Sequence, residues 1–229
     1  MQSPVVGRFR SSVFRESTTD QLVQACRTKG TTVTATIQVI LAISLFRCLP
    51  TSFARLRSVT PINVRHLLRA PIDCSSMGVY IDLVRDSYHQ EELRSFSRSE
   101  ARGAREIIVA HLEGADKLLN SAHLKHIQGI NQAMIDCLGQ KRDHSFEVSN
   151  LGVFGARMQD AANENNWKSG RMVFSRSAAV LAPALGYAII TGADGCLVLG
   201  YNWQVGIVDD ELAAEVIRNV EGEIFELTK

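Results

Sequence analysis

Residues 33–49, VTATIQVILAISLFRCL, place the strongest constraint on what this chain can fold into. The run is apolar, but Thr34, Thr36, Gln38, Ser44, Arg47 and Cys48 interrupt it, and it is too short and too polar to span a bilayer core of about 30 Å. It is read as a buried helix, so the remaining residues must supply the body that buries it. After a break at Gly30, either Thr31 or Thr32 can accept the free N–H groups of its first turn, and Pro50 stops it. Residues 18–29 read as a preceding amphipathic helix with Leu22, Val23, Ala25 and Cys26 turned inward.

Composition agrees with a folded body. Of 229 residues 45% are hydrophobic, 21% charged and 7% aromatic, which is ordinary for a globular chain of one large or two small domains. Lys plus Arg number 25 against 24 Asp plus Glu, a net charge of +1, which argues against a nucleic-acid binder. The charge is uneven, with ten basic and three acidic residues in 1–75 but two basic and seven acidic in 201–229. That asymmetry fits either complementary solvated faces or a weak site for a phosphorylated ligand. The five cysteines are widely spaced and lack a CxxC pair, so neither a disulfide framework nor a zinc ribbon is indicated, and a reducing, cytoplasmic setting is expected. Arg8, Arg10 and Arg15 among serines faintly resemble a transit peptide. Residues 1–17 are expected to be a flexible segment ahead of one folded unit over 18–229.

Strands are expected at 58–65, 77–86, 144–153, 171–176, 184–191 and 196–203, from β-branched or alternating runs bounded by Pro and Gly. GADG at 192–195 joins the last two as a hairpin. Helical spacing of apolar residues covers 97–119 and 123–138, and a closing helix covers 209–227, its Asp209, Asp210 and Glu211 suiting the positive end of the dipole. Helices and strands mix without regular βαβ alternation, so the fold class is α/β with a mixed sheet packed by helices.

The order of these pieces carries a resemblance. GTTVTATIQVILAISLF at 30–46, TPINVRHLL at 60–68, the strand MGVYIDLV, FEVSNLGVF at 146–154 and GCLVLGYNWQVGIVDDELAAEVI at 195–217 together resemble the C-terminal half of fungal alcohol O-acetyltransferases. These belong to the chloramphenicol-acetyltransferase-like superfamily, with the condensation domains of peptide synthetases. The resemblance implies one lobe of a two-lobed enzyme whose tunnel admits acetyl-coenzyme A from one side and an alcohol of secondary metabolism from the other. It implies no bound cofactor and no metal, with acetyl-CoA as co-substrate. The family's HxxxD motif supplies a histidine base in the other lobe.

No histidine here has an Asp four residues on: the partners are Ala70 for His66, Leu93 for His89, Ala115 for His111, Ile127 for His123, Ile130 for His126 and Val148 for His144. HLEGAD, His111 to Asp116, is one residue too long and would place its two side chains about 140° apart on a helix. His111 is therefore read as an ordinary inner-face residue. HLKH, His123 to His126, lacks a carboxylate in register for a metal, and phosphate-cradling GxxxxGK, GxGxxG and the esterase GxSxG are absent. Trp167, Tyr201 and Trp203 read as core or rim aromatics.

Two places remain for substrate. The resemblance puts the SNLG strand beside the tunnel, where Ser149 and Asn150 would orient a ligand unless they only tie off a strand end. PINVR puts Asn63 and Arg65 on one face of a strand, with Arg65 as a structural ion-pair partner or a ligand contact. The expected protein is an alcohol O-acetyltransferase lobe, without nucleic-acid or membrane partners, that is incomplete in itself, completed by a partner lobe or a second copy, or retained as a non-catalytic binding or scaffolding lobe.

Overall fold

The structure, a computed structural model, describes residues 5–73, 75–114, 119, 123, 124, 126–154, 169–177 and 179–229. In chain order the elements are β1 (Gly7–Phe14), α1 (Glu16–Thr28), α2 (Val33–Cys48), β2 (Arg55–Asn63), β3 (Ile81–His89), α3 (Arg98–Gly114), α4 (Ile130–Asp136), β4 (Phe146–Val153), β5 (Leu185–Thr191), β6 (Leu197–Gln204) and α5 (Asp210–Leu227). The strands form one mixed sheet in the order β1-β6-β5-β4-β2-β3, parallel at β2/β4 and β4/β5 and antiparallel elsewhere.

Helix α2 is the centre of the layer on one face of that sheet, packed between α3 and α5. Twelve of its sixteen residues are buried, as expected of a helix apolar all round. Its start is set twice. Gly30, at φ +69°, reverses the end of α1, with Thr31 N–H bonded to the Cys26 carbonyl at 3.0 Å and Gly30 N–H to the Arg27 carbonyl at 3.1 Å. Thr32 then accepts from the Ala35 N–H at 3.2 Å as N-cap. Alternate strand residues close the core beneath α2. Tyr88, Phe146, Tyr187 and Tyr201 form a file of rings across the sheet, with successive centroids 6.2, 6.1 and 5.7 Å apart.

Four expectations need correction. Residues 7–14, expected in a flexible segment, form β1, which pairs along the whole of β6 and buries Phe14. Its polar composition suits an edge strand with one solvated side, which is why it resembled a tail. Residues 171–176 are not a strand; they cross the second face of the sheet, where a Cβ on Gly200 would stand 2.6 Å from the Phe174 carbonyl oxygen. The helix expected over 123–138 is reduced to α4, which begins after Gly129 at φ +67° and has no buried residue to anchor a longer one. Strands expected at 58–65 and 77–86 run instead over β2 and β3, leaving 77–80 as a loop. Trp167 and Asp116 lie outside the described residues. The GADG turn is as expected, with Gly195 at φ +71° and its N–H bonded to the Gly192 carbonyl at 3.1 Å. Among the described residues no single helix is long and apolar enough to cross a membrane.

Candidate functional site

The four residues expected to meet substrate lie at the end of the sheet where the parallel strands β2, β4 and β5 finish. There the sheet forks. The β2/β4 ladder consists of Ser58 with Phe146 and Val59 with Glu147, and beyond these two pairs the strands are not bridged. α2 spans the fork with polar side chains instead. Gln38 Nε2 donates to Ser58 Oγ at 2.7 Å and its Oε1 accepts from Thr60 Oγ1 at 3.3 Å, both on β2. Thr34 Oγ1 accepts from Asn150 Nδ2 on β4 at 2.9 Å.

Asn150 is consequently committed on both sides of its amide, because Oδ1 also accepts the Gly152 N–H at 2.7 Å. That bond, with Gly152 at φ +74°, shapes the bulge through which β4 shifts register against β5 between Asn150 and Val153. Ser149 points to the opposite face by the two-residue period. It is 9% exposed, and its hydroxyl makes no hydrogen bond among the described residues. Of the pair, Asn150 shapes the strand and Ser149 has a free polar group.

Asn63 and Arg65 meet each other, but only Asn63 is on a strand. β2 ends at Asn63, and Arg65 begins a single 3-10 turn, Arg65–Leu67. Asn63 Oδ1 accepts from the Arg65 N–H and from Arg65 Nη1, both at 3.1 Å. Arg65 also donates to the carbonyls of Ser76 at 3.0 Å and Gly78 at 2.6 Å, and lies 4.9 Å from the Tyr80 ring centroid. Its partners are neutral oxygens and a ring rather than a carboxylate. It pins the 75–80 loop, which presents Met77, 96% exposed, to solvent. No hydrogen bond among the described residues joins Asn63 and Arg65 to Ser149 and Asn150.

Two features escaped the sequence reading. His111 Nε2 donates to Asp82 Oδ2 at 2.8 Å, tying α3 to β3 through a carboxylate with no exposed surface. Tyr88 O–H donates to Asp86 Oδ2 at 2.7 Å. Burial pushes the Tyr88 hydroxyl well up, with the Asp86 charge adding to it, and burial pushes the Asp86 carboxyl up against the hydrogen bonds that favour its charge. The alternation in IDLVRDSYH puts 82, 84, 86 and 88 on one face, but nothing in the chain marks which helix residue stands opposite. Among the described residues no three His, Cys, Asp or Glu side chains gather as a metal site.

A mixed sheet that forks between β2 and β4 and carries α2, α3 and α5 on one face is shared with solved proteins about twice as long. The trichothecene 15-O-acetyltransferase TRI3 of Fusarium sporotrichioides matches at a TM-score of 0.70 with 14% identity, over 99% of this chain and 48% of that one. PapA2 acyl transferase matches at 0.67 with 14% identity, over 99% and 46%. In sequence, the chain is homologous to crmB of Aspergillus fumigatus, described as a probable alcohol acetyltransferase, with 31% identity over 230 residues. That match covers 95% of this chain and 49% of crmB, so the chain spans about half the length of the relatives it matches. No protein-family model matches the sequence. The resemblance to alcohol acetyltransferases and the expected fold class are both borne out.

Proposed function

We propose that this chain is the C-terminal lobe of an alcohol O-acetyltransferase that moves acetyl from acetyl-CoA to a hydroxyl of a small secondary metabolite. The observation that carries the reading is a relationship to crmB running through almost all of this chain while stopping at half of crmB. The reaction needs a base that takes the alcohol proton as the oxygen attacks the thioester carbonyl and coenzyme A leaves as the thiol. No histidine here stands in an HxxxD motif, so a partner lobe supplies that base. This chain contributes a wall: Ser149, with its free hydroxyl, contacts substrate, and Asn150 and Arg65 with Asn63 hold the strand end and loop around it. Four of the cysteines are free thiols, in keeping with a cytoplasmic setting.

The absence of HxxxD also favours a second reading, a lobe that binds without catalysing. One experiment separates them. Acetyl transfer is followed by free coenzyme A thiol, with a panel of alcohols, for this chain alone and with a co-expressed lobe bearing HxxxD. The chain alone is expected to be inactive or slow, since a general base contributes about 10²–10⁴-fold and correct positioning adds to that. Turnover gained with the partner supports the enzyme. Tight pairing without turnover supports the binding lobe, and robust turnover by the chain alone, lost in His111→Ala, overturns both.

A further inference from the structure

At the other end of the sheet, where β2, β4 and β5 begin, lies a cleft of about 770 Å³ unrelated to the residues above. The size is that of a small-molecule site. Its floor is apolar: Leu45 and Leu49 at the end of α2, Phe53 before β2, and Leu212 in the first turn of α5 are among the side chains that line it. Its rim on the β2 and β4 side carries Arg55, Arg57, Lys141 and Arg142.

What those cations already touch decides what they can bind. Arg57 pairs with Asp143 at 3.0 Å, which neutralises one of the four. Arg55 donates to the Ser87 hydroxyl at 3.2 Å, and Arg142 to the Ala182 carbonyl at 3.0 Å and Gln204 Oε1 at 3.1 Å, all neutral oxygens. Lys141 is exposed and has no partner among the described residues. His144, also on the lining, adds no fixed charge, because burial, Arg85 and Arg57 outweigh Asp143 and hold its pKa down. Among the described residues, three positive charges without an acidic partner therefore edge an apolar floor.

The opposite wall has the other sign. Leu49 and Leu212 also line a neighbouring hollow that holds Asp209, Asp210, Glu211 and Glu215. Asp210 is engaged with Arg8 and the Trp203 indole, but Asp209, Glu211 and Glu215 have no cation partner among the described residues. An anion is thus admitted on the β4 side and repelled at the α5 side, so a ligand charged at both ends is disfavoured and a ligand with one anionic head is oriented.

We propose that this cleft binds a single-chain amphiphile, with its carboxylate or phosphate head among Arg55, Lys141 and Arg142 and its hydrocarbon chain along Leu45, Leu49, Phe53 and Leu212. The inference is independent of the acetyl-transfer reading, since the cleft is at the far end of the sheet from Ser149 and Asn63. Binding to the full chain is measured by calorimetry and by amide chemical shifts, using decanoate, decyl phosphate, coenzyme A and decyltrimethylammonium below their micellar concentrations. Saturable binding of decanoate or decyl phosphate is expected, with shifts confined to residues around 53–57, 140–145 and 207–212; the tighter of the two identifies the head. Coenzyme A, which has phosphates but no hydrocarbon chain, and the cationic detergent are expected to bind at least tenfold more weakly. The exposed double variant Arg55→Glu/Lys141→Glu should weaken decanoate at least tenfold, and Phe53→Ser should weaken it several-fold while leaving folding intact. Absence of saturable binding, equal affinity for the cationic detergent, or a double variant that binds as the parent does would each overturn the proposal.

Discussion

The two faces of the sheet are built differently. On one, α2 is sealed among α1, α3, α5 and the inward strand residues, with Ile37, Ile40, Leu41 and Ile43 fully buried. The other face is covered differently. Ala188, Val198 and Ile190 are covered, and the chain of residues 169–177 crosses there, close to Gly192 and Gly200. Arg176 reaches the buried Glu147 from this segment as an ion pair, and burial lowers the pKa of that arginine. Beyond this cover, Phe9 and Val13 on β1, opposite Asn202 and Val198, stay exposed. Among the described residues one face is sealed while parts of the other stay bare, which is what the proposed packing against a second lobe requires.

If the helical face carries the stability, truncations on the two faces must differ several-fold. Ile40→Ala, at a site with no exposed surface, is expected to cost about 2–5 kcal/mol through lost transfer energy and the cavity left behind. Val13→Ala, opposite Val198 on the second face and 43% exposed, should cost no more than about 1 kcal/mol. Urea denaturation of both variants measures this, and comparable losses would mean that the second face is already a sealed core.

The cover on that second face can be lifted by one methyl group. Gly200→Ala puts a Cβ 2.6 Å from the Phe174 carbonyl oxygen and 2.9 Å from the Phe9 ring. Backbone cannot yield there as a flexible side chain would, so the 169–177 segment must move off β6. A loss of about 1–3 kcal/mol is expected, with faster amide exchange in the segment and on β1 while α2 keeps its protection. Faster exchange throughout α2 would show that the two faces unfold as one unit.

Legibility in the sequence follows the range of the interactions involved. α2, the GADG hairpin and α5 rest on local signals: an apolar run between a cap and Pro50, glycines where φ must be positive, acids at a helix start. β1 was hidden because its pairing with β6 joins residues nearly two hundred positions apart, and its own alternation, Arg8 and Arg10 against Phe9 and Val13, is weak. The site residues show the same division. SNLG reads either as a substrate-facing pair or as a strand end tied by its own side chains; the bond of Asn150 to the Gly152 N–H is local, but its second partner, Thr34, is 116 positions away. Arg65 was placed on a strand because the two-residue period was carried past the end of β2; the Asn63 side chain turns the backbone there by accepting the Arg65 N–H.

The smallest expected effect separates the two neighbours in SNLG. Asn150→Ala removes a bond to α2 and one to the bulge, each worth about 0.5–1.5 kcal/mol, and Asn150→Asp should recover the bulge bond alone, since a carboxylate accepts from Gly152 N–H as the amide oxygen does. Ser149→Ala removes a hydroxyl without a described partner and is expected to shift stability by no more than about 0.5 kcal/mol, in either direction. The same variant in the reassembled two-lobed protein should raise the KM for the alcohol several-fold and leave the melting temperature unchanged. Asn150→Ala should lower both affinity and melting temperature, because it acts through the shape of β4. A Ser149→Ala variant that loses stability like Asn150→Ala would make both residues parts of the scaffold, and the wall that this lobe offers to substrate would then have to lie elsewhere along the fork between β2 and β4.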